Sequence, residues 1–226
     1  MRELQGEIHN LYGIDASKYD AENRLRIRRI YDLIPSTLES KKKRLVVKEI
    51  ENKSQARYAQ YQDDFEYLIS SGIALEVRAI SNPKFPLMES SAKNLLKLYL
   101  NDVGLLSYLL FSTNINAVLQ THESINMGAV YECVVAQELK AHGHKLFYYD
   151  NKKHGEVDFL IDDFSTLSVL PIEVKSGKDY TVHSSLNHFI NTPDYNITQG
   201  VVLCNEGEIK EINHVVYLPV YCVMFL

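Results

Sequence analysis

Tryptophan is absent from the 226 residues, and cysteine is scarce: Cys133, Cys204 and Cys222 are the only three. An odd, widely spaced set with no C-x-x-C pair makes neither a disulfide framework nor a zinc ribbon. A reduced, cytoplasmic protein is therefore expected. The eight histidines show no H-x-x-x-H spacing, which argues against a zinc site on a helix. No apolar run reaches the ~20 residues that span a bilayer. The start, Met1-Arg2-Glu3-Leu4-Gln5-Gly6-Glu7, lacks the basic and apolar blocks of a signal peptide. No membrane partner is expected. A phosphate-binding G-x-x-x-x-G-K-[ST] loop is also missing. The one Gly-Lys pair, Gly177-Lys178, is followed by Asp179, so no nucleotide is expected to bind this chain.

What is present is a globular composition, 46% hydrophobic and 23% charged, enough for one or two domains. The net charge of −5 argues against a protein that coats nucleic acid non-specifically. The charge is unevenly spread. Residues 24–57 hold 11 basic against 4 acidic residues, whereas residues 91–226 hold 9 against 15. One basic segment on an acidic chain points to two modules with different surfaces.

In the first module, Ile27, Ile30, Tyr31 and Ile34 have helical spacing. Pro35 is expected to end that helix, with Ser36 and Glu39 as a capping box for a short second one. A third helix is expected from Ser54 to about Ser71, with Tyr58, Tyr61, Phe65, Leu68 and Ile69 on one stripe and Gly72 beyond its end. Residues 1–20 have weak periodicity and are expected as a lead-in. Ile73 to Ile80 alternates as a strand, followed by a turn at Asn82-Pro83. Three helices and a two-stranded ribbon are the order of a winged helix. Two readings stay open. One is DNA binding, with Lys41, Lys42, Lys43 and Arg44 on phosphates. The other is a module that packs against protein, with the basic run as a solvated face. Asp63, Asp64 and Glu66 on the third helix oppose docking on a phosphate backbone.

Residues 91–100 read as a strand, Asn101 or Asp102 as the start of an apolar helix, and residues 113–126 as a loop. Residues 127–142 form a helix that is apolar nearly all round and so belongs in a core. Glu132 interrupts it. A buried carboxylate must be paired, hydrogen-bonded or bound to a metal, and a Lys or Arg partner or an exposed rim position are the alternatives to a metal. Three strands follow, at about Lys145–Tyr149, Glu156–Ile161 and Leu167–Lys175. Alternation gives Asp158 one face of its strand, and Glu173 and Lys175 one face of the next. Two carboxylates and the carbonyl of Val174 suit Mg²⁺ or Mn²⁺, and Lys175 can hold a water or neutralise phosphate charge. The competing reading is a cross-strand ion pair. His183 and His188 are expected on a helix with Leu186 and Phe189, either as surface residues or close enough to approach a substrate.

Asp158, Glu173-Val174-Lys175 and the helical Glu132 resemble the core of the PD-(D/E)XK nuclease superfamily. The strings Lys97 to Leu106, Gly128 to Glu132, Glu156 to Leu160 and Pro171 to Gly177 resemble an uncharacterised family that forms the C-terminal part of many prokaryotic AAA-type ATPases. The resemblance runs from about residue 20 to the end. It implies an α/β (α+β) fold: a restriction-endonuclease-like mixed sheet flanked by helices, preceded by a winged-helix-like module. It implies catalytic roles for Glu132, Asp158, Glu173 and Lys175. Asp158, Glu173 and the Val174 carbonyl would hold Mg²⁺ or Mn²⁺, with Glu132 at a second site or acting through water. It also implies an ATPase domain as a covalent partner in the full protein, and DNA as a substrate. The expected division is 1–90 for the lead-in and winged-helix-like module, 91–126 for a connecting strand, helix and loop, and 127–226 for the nuclease-like domain. Mg²⁺-dependent hydrolysis of DNA phosphodiesters is the expected activity. A non-catalytic regulatory or interaction domain that keeps the fold is the alternative.

Overall fold

The computed structural model of the chain describes residues 1–18, 23–40, 43–112, 114, 116 and 126–226. It divides into two compact units. The first is Met1–Glu76 with Lys97–Cys133, and the second is Val77–Leu96 with Val134–Leu226.

The first unit is helical. Helices α1 (Arg2–Lys18), α2 (Arg24–Glu39), α3 (Val47–Ile50) and α4 (Gln62–Ser70) come first, and α5 (Val103–Phe111) follows later in the chain. Its axis is α2, whose Ile27, Ile30, Tyr31, Ile34 and Leu38 are all buried. That stripe explains a departure from the sequence reading: Pro35 lies inside α2 and does not end it. A proline in a helix interior costs about 3 kcal/mol. Continuing the helix buries Leu38, which contributes roughly 1.5–3 kcal/mol and offsets the loss. Ser36 then caps nothing, and its hydroxyl donates to the Leu33 carbonyl. Residues 2–18, expected as a weakly periodic lead-in, form a full helix. The long third helix is also broken up. A single 3₁₀ turn at Tyr58–Gln60 precedes α4, which keeps Phe65 and Leu68 in the core. Asp64 on α4 is buried and paired with Arg26 of α2 at 2.5 Å, so it faces the unit's interior. Gly72, at φ +73°, closes α4 as expected. The Ile73 amide donates to Leu68 and the Gly72 amide to Ile69, the bond pair of a left-handed helix terminus. Helix α5 starts where expected, with the Asp102 carboxylate accepting from the Gly104 and Leu105 amides.

The second unit is built on a mixed sheet flanked by helices. Its strands are β1 (Ala74–Ile80), β2 (Ser91–Leu100), β3 (Phe147–Asn151), β4 (Gly155–Asp163), β5 (Ser168–Lys175), β6 (Gly200–Cys204), β7 (Lys210–Ile212) and β8 (Val215–Pro219). The eight-stranded order is β2-β1-β3-β4-β5-β6-β8-β7, and residues 77–80 of β1 and 91–96 of β2 belong to this unit. The segment β3-β4-β5 is an antiparallel meander. Helix α7 (Ser184–Ile190) then carries the chain across so that β6 runs parallel to β5. Leu186 and Phe189 of α7 pack into one core with Val157, Leu160, Val169, Val202, Cys204 and Tyr217, which fixes the sheet face that α7 covers. Helix α6 (Gly128–Ala141) gives Gly128–Cys133 to the first unit and Val134–Ala141 to the second. Among the described residues no helix is long and apolar enough to cross a membrane. The loop expected over 113–126 lies mostly outside the described residues.

Candidate functional site

Two of the expected site residues, Glu173 and Lys175, stand on one face of the sheet, and Asp158 lies near them on the neighbouring strand. On β5, Val169, Pro171, Glu173 and Lys175 share a face by alternation, and Val169 belongs to the core under α7. Glu173 and Lys175 pair with Val202 and Cys204 of β6, also in that core, so both stand on the α7 side. On β4 the ladder to β5 runs through Phe159↔Ile172, and one further step sets Asp158 beside Glu173. The strands part there. The Val174 amide donates to Asp158 Oδ2 at 2.8 Å, so the Asp158 side chain takes a strand bond.

A bulge interrupts the alternation at Asp158. The β3–β4 ladder pairs Phe147 with Leu160 and Tyr149 with Val157, which leaves Asp158 and Phe159 together opposite Tyr148. One extra residue on β4 turns the strand locally, a common device beside active sites. Period-two alternation alone could not reveal it.

Asp158 is 7% exposed and Glu173 6%. Glu173 Oε1 and Lys175 Nζ are 2.8 Å apart, and the Lys175 side chain keeps partial access to solvent. Two buried carboxylates on adjacent strands, with one ammonium beside Glu173, offer hard oxygen donors. Mg²⁺ is typically held by one or two carboxylates, completed by waters and substrate phosphate. Asp158 and Glu173 fit that pattern. Among the described residues no group of three or more His, Cys, Asp or Glu side chains is placed to hold a metal by itself.

Glu132 belongs to the first unit. It is 2% exposed, and both of its oxygens are engaged. Tyr99 Oη donates to Oε2 at 2.8 Å, and the Lys43 ammonium pairs with Oε1. The alternative in which Glu132 pairs with a lysine is therefore the arrangement seen. Lys43 comes from the basic run, 89 residues away. Arg44 is half-buried, and Lys41 and Lys42 lie outside the described residues. Beside Glu132, the Cys133 thiol sits at 3.2 Å from the Leu100 carbonyl, and burial pushes its pKa up to about 12. Cys133 is thus an inert core residue.

Two buried polar residues escaped the sequence reading. Lys97 on β2 is fully buried, on the strand face of Tyr99 by alternation. A lysine interrupting the apolar run Leu95-Leu96-Lys97-Leu98 is the signal that could have found it. His183, expected at the surface, is 4% exposed. Its Nε2 lies 2.6 Å from Tyr217 Oη. Burial first, and then the nearby Lys175 charge, lower its pKa below the ordinary histidine value. Tyr217 is 34 residues away, so no local pattern announces the pair.

Residues 1–116 match the family described as a domain of unknown function, DUF8612. The chain belongs to that family. Residues 127–223 match a second description, the domain of unknown function DUF4143, which is often found in AAA ATPase-associated proteins. In this DUF8612 protein, Glu132, Asp158, Glu173 and Lys175 all lie within the DUF4143-like stretch, and the basic run lies within the DUF8612 part. No curated protein and no solved structure matches the chain.

Proposed function

We propose that the second unit is a metal-dependent nuclease of the PD-(D/E)XK type that hydrolyses DNA phosphodiesters, working in the full protein beside an ATPase domain. The observation that supports this most is the Glu173–Lys175 pair at one end of the sheet, with the Asp158 carboxylate bonded to the intervening Val174 amide. Helix α6, the antiparallel β3-β4-β5 and the parallel β6 reached through α7 support a restriction-endonuclease-like core. The chain order of α2, α3 and α4 before β1 and β2 supports a winged-helix-like first module whose strands are shared with the eight-stranded sheet.

Asp158 and Glu173 would hold Mg²⁺ or Mn²⁺, with the Val174 carbonyl as a further oxygen. When bound, the cation supplies charge for the phosphate oxygens and lowers the pKa of a coordinated water. Asp158 keeps its orientation through the Val174 amide. Lys175, drawn towards Glu173, is placed to hold the attacking water or the negative phosphate. Water adds to phosphorus, the strand's bridging oxygen leaves, and a phosphomonoester and a hydroxyl result.

One observation favours the non-catalytic reading: the expected fourth member, Glu132, is committed to Lys43 and Tyr99. The deciding experiment is Mg²⁺- or Mn²⁺-dependent cleavage of single-stranded, duplex and branched DNA. The parent should cut at least one substrate and Glu173→Ala none. A folded parent that cuts nothing at millimolar Mn²⁺ would return the domain to the interaction class.

A further inference from the structure

The end of the sheet that carries Asp158, Glu173 and Lys175 also carries the β3–β4 turn. Strands β3 and β5 both run antiparallel to β4, so the end of β3, the start of β4 and the end of β5 lie together. That turn is Lys152-Lys153-His154. His154 stacks on His188 of α7 with ring centroids 3.6 Å apart and planes within 13°. This is the spacing and tilt of stacked bases.

The stack is built into the chain. Asn151 Oδ1 accepts from the Lys153 amide at 2.8 Å, and the Asn151 carbonyl accepts from the His154 amide. Gly155, at φ +84°, lies close on α7: a Cβ there would come within 2.3 Å of Ser185 Oγ, so the turn favours glycine at this point. Parallel rings aim their ring nitrogens side by side and not at a common point, which does not suit a chelated metal. His188 is exposed, as are Lys152 and Lys153.

We propose that the His154–His188 stack is a platform for an unpaired base of a nucleic-acid strand led towards Asp158 and Glu173. The choice of nucleic acid as ligand rests on the nuclease reading. Asp158 lies four residues from His154 along β4, about 13 Å at strand rise. Asp150 and Glu156 flank the turn and nearly balance its lysines, so phosphate attraction alone would grip poorly. Base stacking on aromatic rings needs no net charge and tolerates any sequence. It does need an unstacked base, which selects single strands, flaps or frayed ends over intact duplex.

The test uses the full chain in EDTA, where no cleavage can occur. Single-stranded oligonucleotides carrying 2-aminopurine, whose emission falls on stacking, are titrated against the parent and its variants. The parent should quench the probe and prefer single strand to duplex. The double variant His154→Ala/His188→Ala should lose the quench and about tenfold in affinity. His188→Phe should keep both, which separates loss of a ring from loss of fold. Lys152→Gln/Lys153→Gln should flatten the salt dependence and leave the quench. A parent that binds without quench, or a double variant that binds like the parent, overturns the platform. Cleavage is measured separately with Mn²⁺. A parent that quenches but never cuts leaves the platform and removes the nuclease, and one that cuts without quenching does the reverse.

Discussion

Two buried glutamates, each paired with a lysine, stand in the two units, and they differ in where the lysine comes from. Glu173 takes Lys175, two residues along the same strand. Glu132 takes Lys43, 89 residues away, together with Tyr99. A pair at i and i+2 on one strand needs no tertiary structure beyond the strand, and keeps the carboxylate near the end of β5. A pair drawn from distant segments fixes a loop to a helix core. The same chemistry thus serves two purposes. At Glu173 it sets charge where the proposed chemistry would take place, and at Glu132 it ties distant segments of the first unit together. Several substitutions break or sharpen that contrast.

The largest effect is expected on activity. Asp158→Asn, Glu173→Gln and Lys175→Met should each lower cleavage by at least about a hundredfold, since several kcal/mol of charge stabilisation disappear. Circular dichroism should remain that of the parent. If Glu132→Gln abolishes cleavage equally while leaving melting unchanged, the division drawn here is wrong.

Next comes stability at Glu132. Removing one partner of a buried pair typically costs about 3–5 kcal/mol. Glu132→Ala should therefore lower Tm by roughly 10 °C, at 2–4 °C per kcal/mol for a chain of this size. Lys43→Met alone leaves Glu132 buried with only Tyr99. The double change Lys43→Met/Glu132→Met should cost less than the sum of its parts. Lys41, Lys42 and Arg44 sharpen the point. Neutralising them should weaken DNA binding and its salt dependence, whereas Lys43 should register in melting.

A smaller shift is expected from metal. Mn²⁺ at about ten times its dissociation constant adds roughly 1.4 kcal/mol to the folded state, a rise of about 3–6 °C. Thermal melts should show the rise in the parent and little of it in Asp158→Asn. The same rise in Asp158→Asn would place the cation elsewhere.

The smallest effect concerns pH. His183 has its pKa lowered below the ordinary value of about 6.5 in the folded protein, chiefly by burial. Above that value both folded and unfolded rings are neutral and stability is whole. As pH falls below it the unfolded ring takes a proton first, so stability drains away. Melting of the parent between pH 7.5 and 5.5 should fall further than that of His183→Gln. Parallel curves would assign the acid loss to other groups.

Much of the arrangement was legible in the residues. The stripe Ile27, Ile30, Tyr31 and Ile34 marked α2, Asp102 marked the start of α5, and the D-x14-E-x-K spacing put three candidate groups on neighbouring strands. Local signals failed where tertiary burial outweighed them. Leu38 carried α2 through Pro35, and Asp64, read as an exposed acid, faces Arg26. The bulge at Asp158 left no mark in the alternation because its cause is the partner strand. Lys43 looked like one member of a phosphate-binding run, since nothing within ten residues of it names Glu132.

The chain crosses between the units at Glu76–Val77, Leu96–Lys97 and Cys133–Val134. No single cut separates them. A fragment beginning at residue 127 would carry Glu132 stripped of Lys43 and Tyr99, and β3 stripped of β1, its parallel neighbour through Arg78, Ala79 and Ile80. That bare edge offers unpaired amides and carbonyls to any passing strand, an invitation to aggregate. Insolubility of such a fragment would report the severed edge and say nothing about catalysis.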